Sequence, residues 1–442
     1  MKALPLALLG AGLLAGCNAA PTSTATETAG TSAAALLTPG PWRGELAIQG
    51  QQLPFLFEVK TEGGKPVVYL INKGLNGEER LRCDEISAAG DSATIKLHVF
   101  DAALVVRADG KDKLKGVWVK YDAKTPYRVP LVATAGAQPL FNNADAKDAA
   151  AFTGTWKTTF HDGKDSYPAV GVFQQKSADV VGTFLTTTGD YRYLSGQVVR
   201  GVMSLSTFDG NHAFLFVGSH TSDTIREPDN KSFTPEKDKL SSTLSGQFYS
   251  GKSGHETWFA FRDDKAKLPD ADTLTYLKKG ESRLNFKFPS IAEGSSVSPT
   301  DPKYRGKVVV IQVLGSWCPN CMDEPGFLAP WYVKNKARGV EVIGLGYERS
   351  SEYAKAAPRL RKLKERYAIG YDLAVAGVAN KDSVAKSMPQ LAKFLAFPTT
   401  IFLDKKGAVR SIHTGFSGPG TGKYYDEEIA GFNRTVDKLL KE

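Results

Sequence analysis

At 442 residues the chain is too long for a single small binding module, and about 150 residues per domain points to about three domains. Its 42% hydrophobic, 23% charged and 10% aromatic content is that of a globular protein able to bury more than one core, which excludes wholesale disorder. The 56 basic and 47 acidic residues leave a net charge of +9, spread along the chain rather than gathered into the basic run that nucleic-acid binding would need.

Met1-Lys2 supplies one positive charge, and residues 3–14 are an apolar run too short to span a bilayer but of the size of a signal-peptide core. The run ends in Leu14-Ala15-Gly16-Cys17, which resembles the bacterial lipobox. That resemblance implies loss of a signal peptide over 1–16 and lipidation of Cys17, whose acyl chains would make a stable membrane anchor. An ordinary secretory signal with a chance cysteine is the alternative. The expected location is the bacterial cell envelope, with the folded part lipid-anchored and facing the periplasm. Residues 17–40, mostly Ala, Thr, Ser, Gly and Glu with few large apolar groups, read as a flexible tether. Export also permits disulfides, so the cysteines are read in an oxidising setting.

Short stretches rich in Val, Phe, Tyr and Thr recur between Gly, Asp and Asn turn signals from 41 to 264, as in Pro54-Phe55-Leu56-Phe57-Glu58-Val59 and Leu104-Val105-Val106. This predicts antiparallel β structure: one module over 41–136, a linker over 137–150 and a second module over 151–264, each a meander, barrel or sandwich. The second repeats the first. Arg43-Gly44-Glu45-Leu46 aligns with Thr153-Gly154-Thr155-Trp156, Phe100-Asp101 with Phe208-Asp209, and Leu114-Lys115-Gly116-Val117-Trp118 with Leu244-Ser245-Gly246-Gln247-Phe248. The last correspondence lies further apart than the others, placing an insertion in the second copy near 219–239. The Gly-x-Trp opening of the second copy resembles the first strand of lipocalin-like or avidin-like meanders. Trp42, Trp118, Trp156 and Trp258 would either line a ligand cavity or form plain core. The histidines at 98, 161, 212, 220, 255 and 413 make no pair at ligand spacing, so neither a metal nor a cofactor is expected. Residues 265–285, with Pro269 and Gly280, read as a linker with room for a short helix.

The last domain is expected over 286–442. Lys307-Val308-Val309-Val310-Ile311-Gln312-Val313-Leu314 reads as a strand buried on both faces, followed at once by Gly315-Ser316-Trp317-Cys318-Pro319-Asn320-Cys321. A helix follows to Arg338, bent by Pro325 and Pro330, and then a buried strand from Val340 to Leu345, making a β-α-β unit. Helical spacing recurs in Tyr353, Ala357, Leu360, Leu363 and Tyr367, in Val384, Met388, Leu391 and Leu395, and in Ile429, Phe432, Val436 and Leu439. Thr399 to Ile412 reads as a hairpin about Asp404-Lys405-Lys406-Gly407. The glycine-rich segment from His413 to Gly422 reads as a surface loop near the active site.

A Cys-x-x-Cys at a strand-to-helix junction suits redox chemistry. Cys318 would sit at the helix N-terminus, where free N–H groups and the dipole favour a thiolate, and the two-residue gap returns Cys321 to disulfide reach. Cys318 is then the attacking thiol and Cys321 the buried resolving thiol. Half a zinc knuckle or a structural disulfide is the other reading, although no second Cys or His pair completes a metal site. Cys83 is either a buried structural thiol or a partner for this pair.

Trp317-Cys318-Pro319-Asn320-Cys321, Glu324 after it, and Phe397-Pro398-Thr399-Thr400 before a strand ending in Asp404 resemble the TlpA-like and ResA-like class of thioredoxin-fold proteins, over about 286–442. The resemblance implies an α/β thioredoxin-like domain in which Pro398 is cis, lies against the disulfide, shapes the substrate groove and keeps metals off the thiols. It further implies that Trp317 shields the sulfurs and that Glu324 assists proton transfer. A solvated first-turn carboxylate is the other reading of Glu324. Pro325, directly after it, departs from the commoner pattern and bears on the reach of that carboxylate.

The sequence therefore predicts a multidomain chain, two all-β modules followed by a thioredoxin-like domain, working as a thiol-disulfide oxidoreductase. Its expected partners are protein disulfides as substrate, a membrane-bound thiol-disulfide electron donor and the membrane itself, with cytochrome c maturation or envelope redox balance as settings. The alternative is a lipoprotein whose β modules bind a ligand or envelope component, with the redox domain as accessory. A third reading makes the modules spacers.

Overall fold

The computed structural model describes residues 36–123, 125–141, 151–221, 225–226, 232–233 and 242–442. Cys17, the signal segment, most of the tether, part of the 137–150 linker and most of the 219–239 insertion lie outside the described residues.

Alternation of apolar and polar residues makes the first module a half-buried sheet: in the strand Gln51–Glu62, Leu53, Phe55, Phe57 and Val59 are buried. Nine antiparallel strands form one sheet in which the first, Gly40–Ile48, pairs with the last, Tyr127–Ala135. Its edge strands, Gly77–Cys83 and Ile86–Ala89, are consecutive in the chain but do not pair, so the sheet stays open. The second module closes. Asp179–Thr186 bonds both Ser166–Lys176 and Leu194–Val199, and Gly154–His161 bonds both Ser166–Lys176 and Gly254–Arg262. The result is a continuous antiparallel barrel, which leaves no long edge to aggregate. Its interior is filled by Phe160, Phe184, Phe216, Phe248 and Trp258. Trp42, Trp118, Trp156 and Trp258 are all buried, so these rings are core.

The two modules share a hydrophobic contact. Phe208, at the end of the strand Val202–Phe208, sits among Phe55 and Trp118 of the first module, with ring centroids 4.7 and 5.2 Å away. The Trp118 indole donates to Gly210 O (3.1 Å), and Ser206 Oγ donates to Pro54 O (2.8 Å).

The C-terminal domain holds a five-stranded sheet of β1 (Val308–Leu314), β2 (Val340–Glu348), β3 (Asp372–Val378), β4 (Thr399–Leu403) and β5 (Val409–Thr414), in the order β3-β2-β1-β4-β5. The first three are parallel, β4 runs against β1, and β5 runs against β4. The helices are α1 (Pro319–Asn335), α2 (Tyr353–Arg366), α3 (Lys381–Ser387) and α4 (Lys423–Lys441). Every residue of β1 is buried, as its β-branched run requires. Val308, Val310 and Leu314 share a core with α1, α2 and α4, whereas Val309, Ile311 and Val313 pack with Leu284, Phe286 and Val384 on the opposite face.

The helix expected to reach Leu395 stops at Ser387, because Pro389 cannot continue it and disfavours helical geometry at Met388. Leu391–Lys393 is instead a strand paired with Tyr276–Leu277, so the connector contributes to the last domain's packing. The short helix foreseen in the connector is a 3-10 turn, Ala271–Thr273.

Candidate active site

β1 delivers the chain to the start of α1, and Cys318 caps that helix in extended conformation. Its Sγ accepts the backbone N–H of Cys321 at 3.4 Å, one of the donors a helix start leaves unpaired. Pro319 follows at the first helical position, where no donor is needed. Cys318 is 8% exposed and Cys321 fully buried. Burial, reinforced by the neighbouring Cys318 sulfur, pushes the Cys321 thiol well above its ordinary range. The Phe397–Pro398 bond is cis, and Phe397 O lies 3.9 Å from Cys318 Sγ, so β4 brings Pro398 beside the dithiol.

The Trp317 indole donates to Tyr347 O (2.8 Å), and its ring packs edge-on against Phe397 with the Arg349 guanidinium 4.2 Å from its centroid. Glu348, at the end of β2, accepts from Ser316 N (2.9 Å) and Ser316 Oγ (2.7 Å), fixing the approach to the motif.

Glu324 is buried within α1, not solvated at its first turn. Pro325 and Pro330 are accommodated inside the helix, and the carboxylate reaches two donors: Gln312 Nε2 on β1 (2.8 Å) and Thr400 Oγ1 on β4. Tyr371 OH donates to Gln312 Oε1 (3.1 Å). Burial raises the Glu324 pKa to about 7 against the pull of these hydrogen bonds, which suits an acid-base role near neutrality. Gln312 and Thr400 had no assigned role in the sequence reading; a polar residue amid the apolar run of β1 was the available signal.

The β modules come to this site as well. Asn320 Nδ2 donates to Asp190 O (2.9 Å), and Asn211 Nδ2 donates to Trp317 O (2.7 Å). Arg192 makes a two-pronged bond to Asp323 on α1 through Nε (2.8 Å) and Nη2 (2.6 Å), and also reaches Glu79 (2.5 Å). Both Arg192 and Asp323 are buried. The glycine-rich segment lies near the dithiol as expected, but it is not a surface loop: Gly418, Gly420 and Thr421 are buried in this seam, and Gly418 N donates to Asp190 Oδ2 (3.0 Å). Asp190, Arg192, Asn211 and Asp323 carried no sequence signal for this seam, because its contacts join residues more than a hundred positions apart.

Cys83 is fully buried in the first module, where its Sγ lies 3.7 Å from Leu81 O and burial pushes its thiol up to about 11. Among the described residues, no group of three or more His, Cys, Asp or Glu side chains stands where a metal ion would be held.

Residues 278–429 match the Redoxin family. The chain is 26% identical over 176 residues to the thiol:disulfide interchange protein DsbE of Escherichia coli K12, a stretch covering 37% of this chain and 80% of that protein. It is 28% identical over 114 residues to the thiol-disulfide oxidoreductase ResA of Geobacillus kaustophilus, covering 25% of this chain and 57% of that one. Among solved structures it is similar to a secreted thiol-disulfide isomerase from Corynebacterium glutamicum (18% identity, TM-score 0.29, 40% of this chain and 97% of that one). It is also similar to a thioredoxin family protein from Chlorobium tepidum (17% identity, TM-score 0.28, 37% and 98%). Behind two β modules, the chain thus carries a C-terminal Redoxin domain of the thioredoxin-fold, thiol-disulfide oxidoreductase kind.

Proposed function

We propose that the protein is a lipid-anchored, periplasm-facing thiol-disulfide oxidoreductase that reduces disulfides of exported proteins through Cys318 and Cys321. The observation that carries this reading is the Cys318 sulfur at the start of α1, accepting the Cys321 N–H, with Pro398 beside it and a buried acid one helical turn beyond Cys321.

The Cys318 thiolate attacks one sulfur of the substrate disulfide, whose S–S bond breaks as a Cys318–substrate disulfide forms and the other substrate sulfur leaves as thiolate. Glu324, as carboxylate, takes the proton of Cys321. The Cys321 thiolate then attacks Cys318 Sγ, the mixed bond breaks, and the second substrate thiolate departs. Two electrons have passed to the substrate and the enzyme holds the disulfide. A membrane-bound dithiol donor returns them. Lipidation at Cys17 would keep the domain near such a donor, and cytochrome c maturation or repair of exported proteins are settings that fit.

Reduction of insulin by a dithiol-recycled preparation tests the chemistry. Cys318→Ser should abolish turnover, and Cys321→Ser should accumulate covalent substrate adducts; full activity in Cys318→Ser would end the proposal. Metabolic labelling with a fatty-acid analogue, lost in Cys17→Ser, tests the anchor.

A further inference from the structure

The residues on either side of the two cysteines are held by the β modules rather than left open. Trp317 offers its carbonyl to Asn211, Asn320 bonds the backbone of Asp190, and Asp323 is gripped by Arg192. The fit is close. A Cβ added at Gly189 would meet Asn320 Nδ2 at 3.0 Å, one at Gly418 would meet Asp323 Oδ2 at 2.4 Å, and one at Gly420 would meet the Arg192 backbone at 2.7 Å. Cys318, between these held residues, is 8% exposed.

The units share one buried apolar cluster that runs from the first module through Phe208 to Cys318 and α1, and the seam over the dithiol adds charge to it. Arg192 is buried against Glu79, Asp209 and Asp323, an arrangement whose desolvation cost offsets much of its attraction, so separation returns hydration to every member. Around the edge, α2 presents Arg359, Lys362 and Arg366 to Asp101, Glu85 and Asp84 of the first module, each pair at 2.5 Å and part-exposed. These part-exposed charged contacts are of the polar kind found in transient interfaces, and their loss favours separation of the units.

We propose that the turns 189–192 and 208–211 form a size filter over the dithiol, closed by Arg192, and that it sets which disulfides reach Cys318. This deepens the reading of Cys318 as the attacking thiol and rests on it. A thiolate must meet a disulfide sulfur directly, so the closed seam admits small or extended disulfides, and a folded protein substrate waits for the modules to part.

The test compares alkylation of Cys318 in the full chain by N-ethylmaleimide and by a maleimide carried on a long polyethylene glycol chain, read from the Cys318 peptide. In the native chain the polymer reagent should lag the small one by about tenfold or more, as expected when the open state is a minor population. Arg192→Ala should narrow that ratio, and so should a variant with Asp84→Asn, Glu85→Gln and Asp101→Asn, which removes only part-exposed partners and keeps the test intact if Arg192→Ala does not fold. An equal ratio in the native chain and in a folded variant overturns the filter. Alkylation requires no disulfide exchange, so that result is separate from a failure of insulin reduction, which would overturn the proposed activity alone.

Discussion

Glu324 is held by two neutral donors, so burial decides its protonation. Below its ordinary value of 4.5 the group is protonated in folded and unfolded chain alike. From there to about 7 the folded chain keeps a proton that the unfolded chain releases, so stability falls as pH rises through this window, by on the order of 3 kcal/mol. Glu324→Gln should remove that loss, seen as a urea midpoint that changes less between pH 4.5 and 8 than in the native chain. The same substitution should slow resolution of a trapped mixed disulfide by about a hundredfold near pH 7, followed by quenching and mass analysis. Thr400→Val deletes a donor that favours the carboxylate, so the pH profile of resolution should move to higher pH. The sequence marked Cys318 and Cys321 through their spacing at a strand-to-helix junction, and Glu324 through the family resemblance alone. It did not mark Gln312 and Thr400 as the acid's partners, because their meeting depends on β1 and β4 being neighbours across the sheet.

The elements show where local pattern suffices. β1, with its β-branched run, and α2, with apolar residues at helical spacing, form as their sequences require. β3 has no clear sequence signal because the Ala and Gly residues of Asp372–Val378 carry weak strand preference. The α3 pattern continued past its true end because Leu391 and Leu395 keep helical spacing beyond a proline that ends the helix. Barrel closure was not legible either: the same alternation makes an open sheet in the first module and a ring in the second. Within the ring, Gly246 is required by proximity, since a Cβ there would meet Val217 O at 2.2 Å and the Trp258 indole at 2.5 Å. Gly246→Ala should lower stability by about 1–3 kcal/mol through overpacking, measured by chemical denaturation, with the redox centre's chemistry intact.

Across the whole molecule, the order of units was readable from composition and from the Cys-x-x-Cys, but their mutual arrangement was not, because it depends on charges and apolar rings that meet only after folding. That arrangement carries its own pH response. Burial pushes Glu79 up to about 7 against the pull of Arg192, and burial with the Asp323 charge does the same to Asp190, while His212 and Arg192 hold Asp209 down at about 2 in spite of its burial. Glu79 and Asp190 therefore keep protons in the docked state that they release when exposed, and docking should weaken as pH rises from about 4 to about 7. Limited proteolysis of the 189–193 and 208–212 turns should be faster at pH 8 than at pH 5.5. The short turn after Phe208 inserts a ring into the first module, accepts the Trp118 indole at Gly210, and extends Asn211 to the peptide that precedes Cys318. A change in any one of the three units at this junction has to be matched in the other two. In descendants of an ancestor with this architecture, Trp118, Phe208 and Asn211 should therefore be inherited or replaced as a set, and a lineage that sheds its first module should also lose the aromatic anchor of the second.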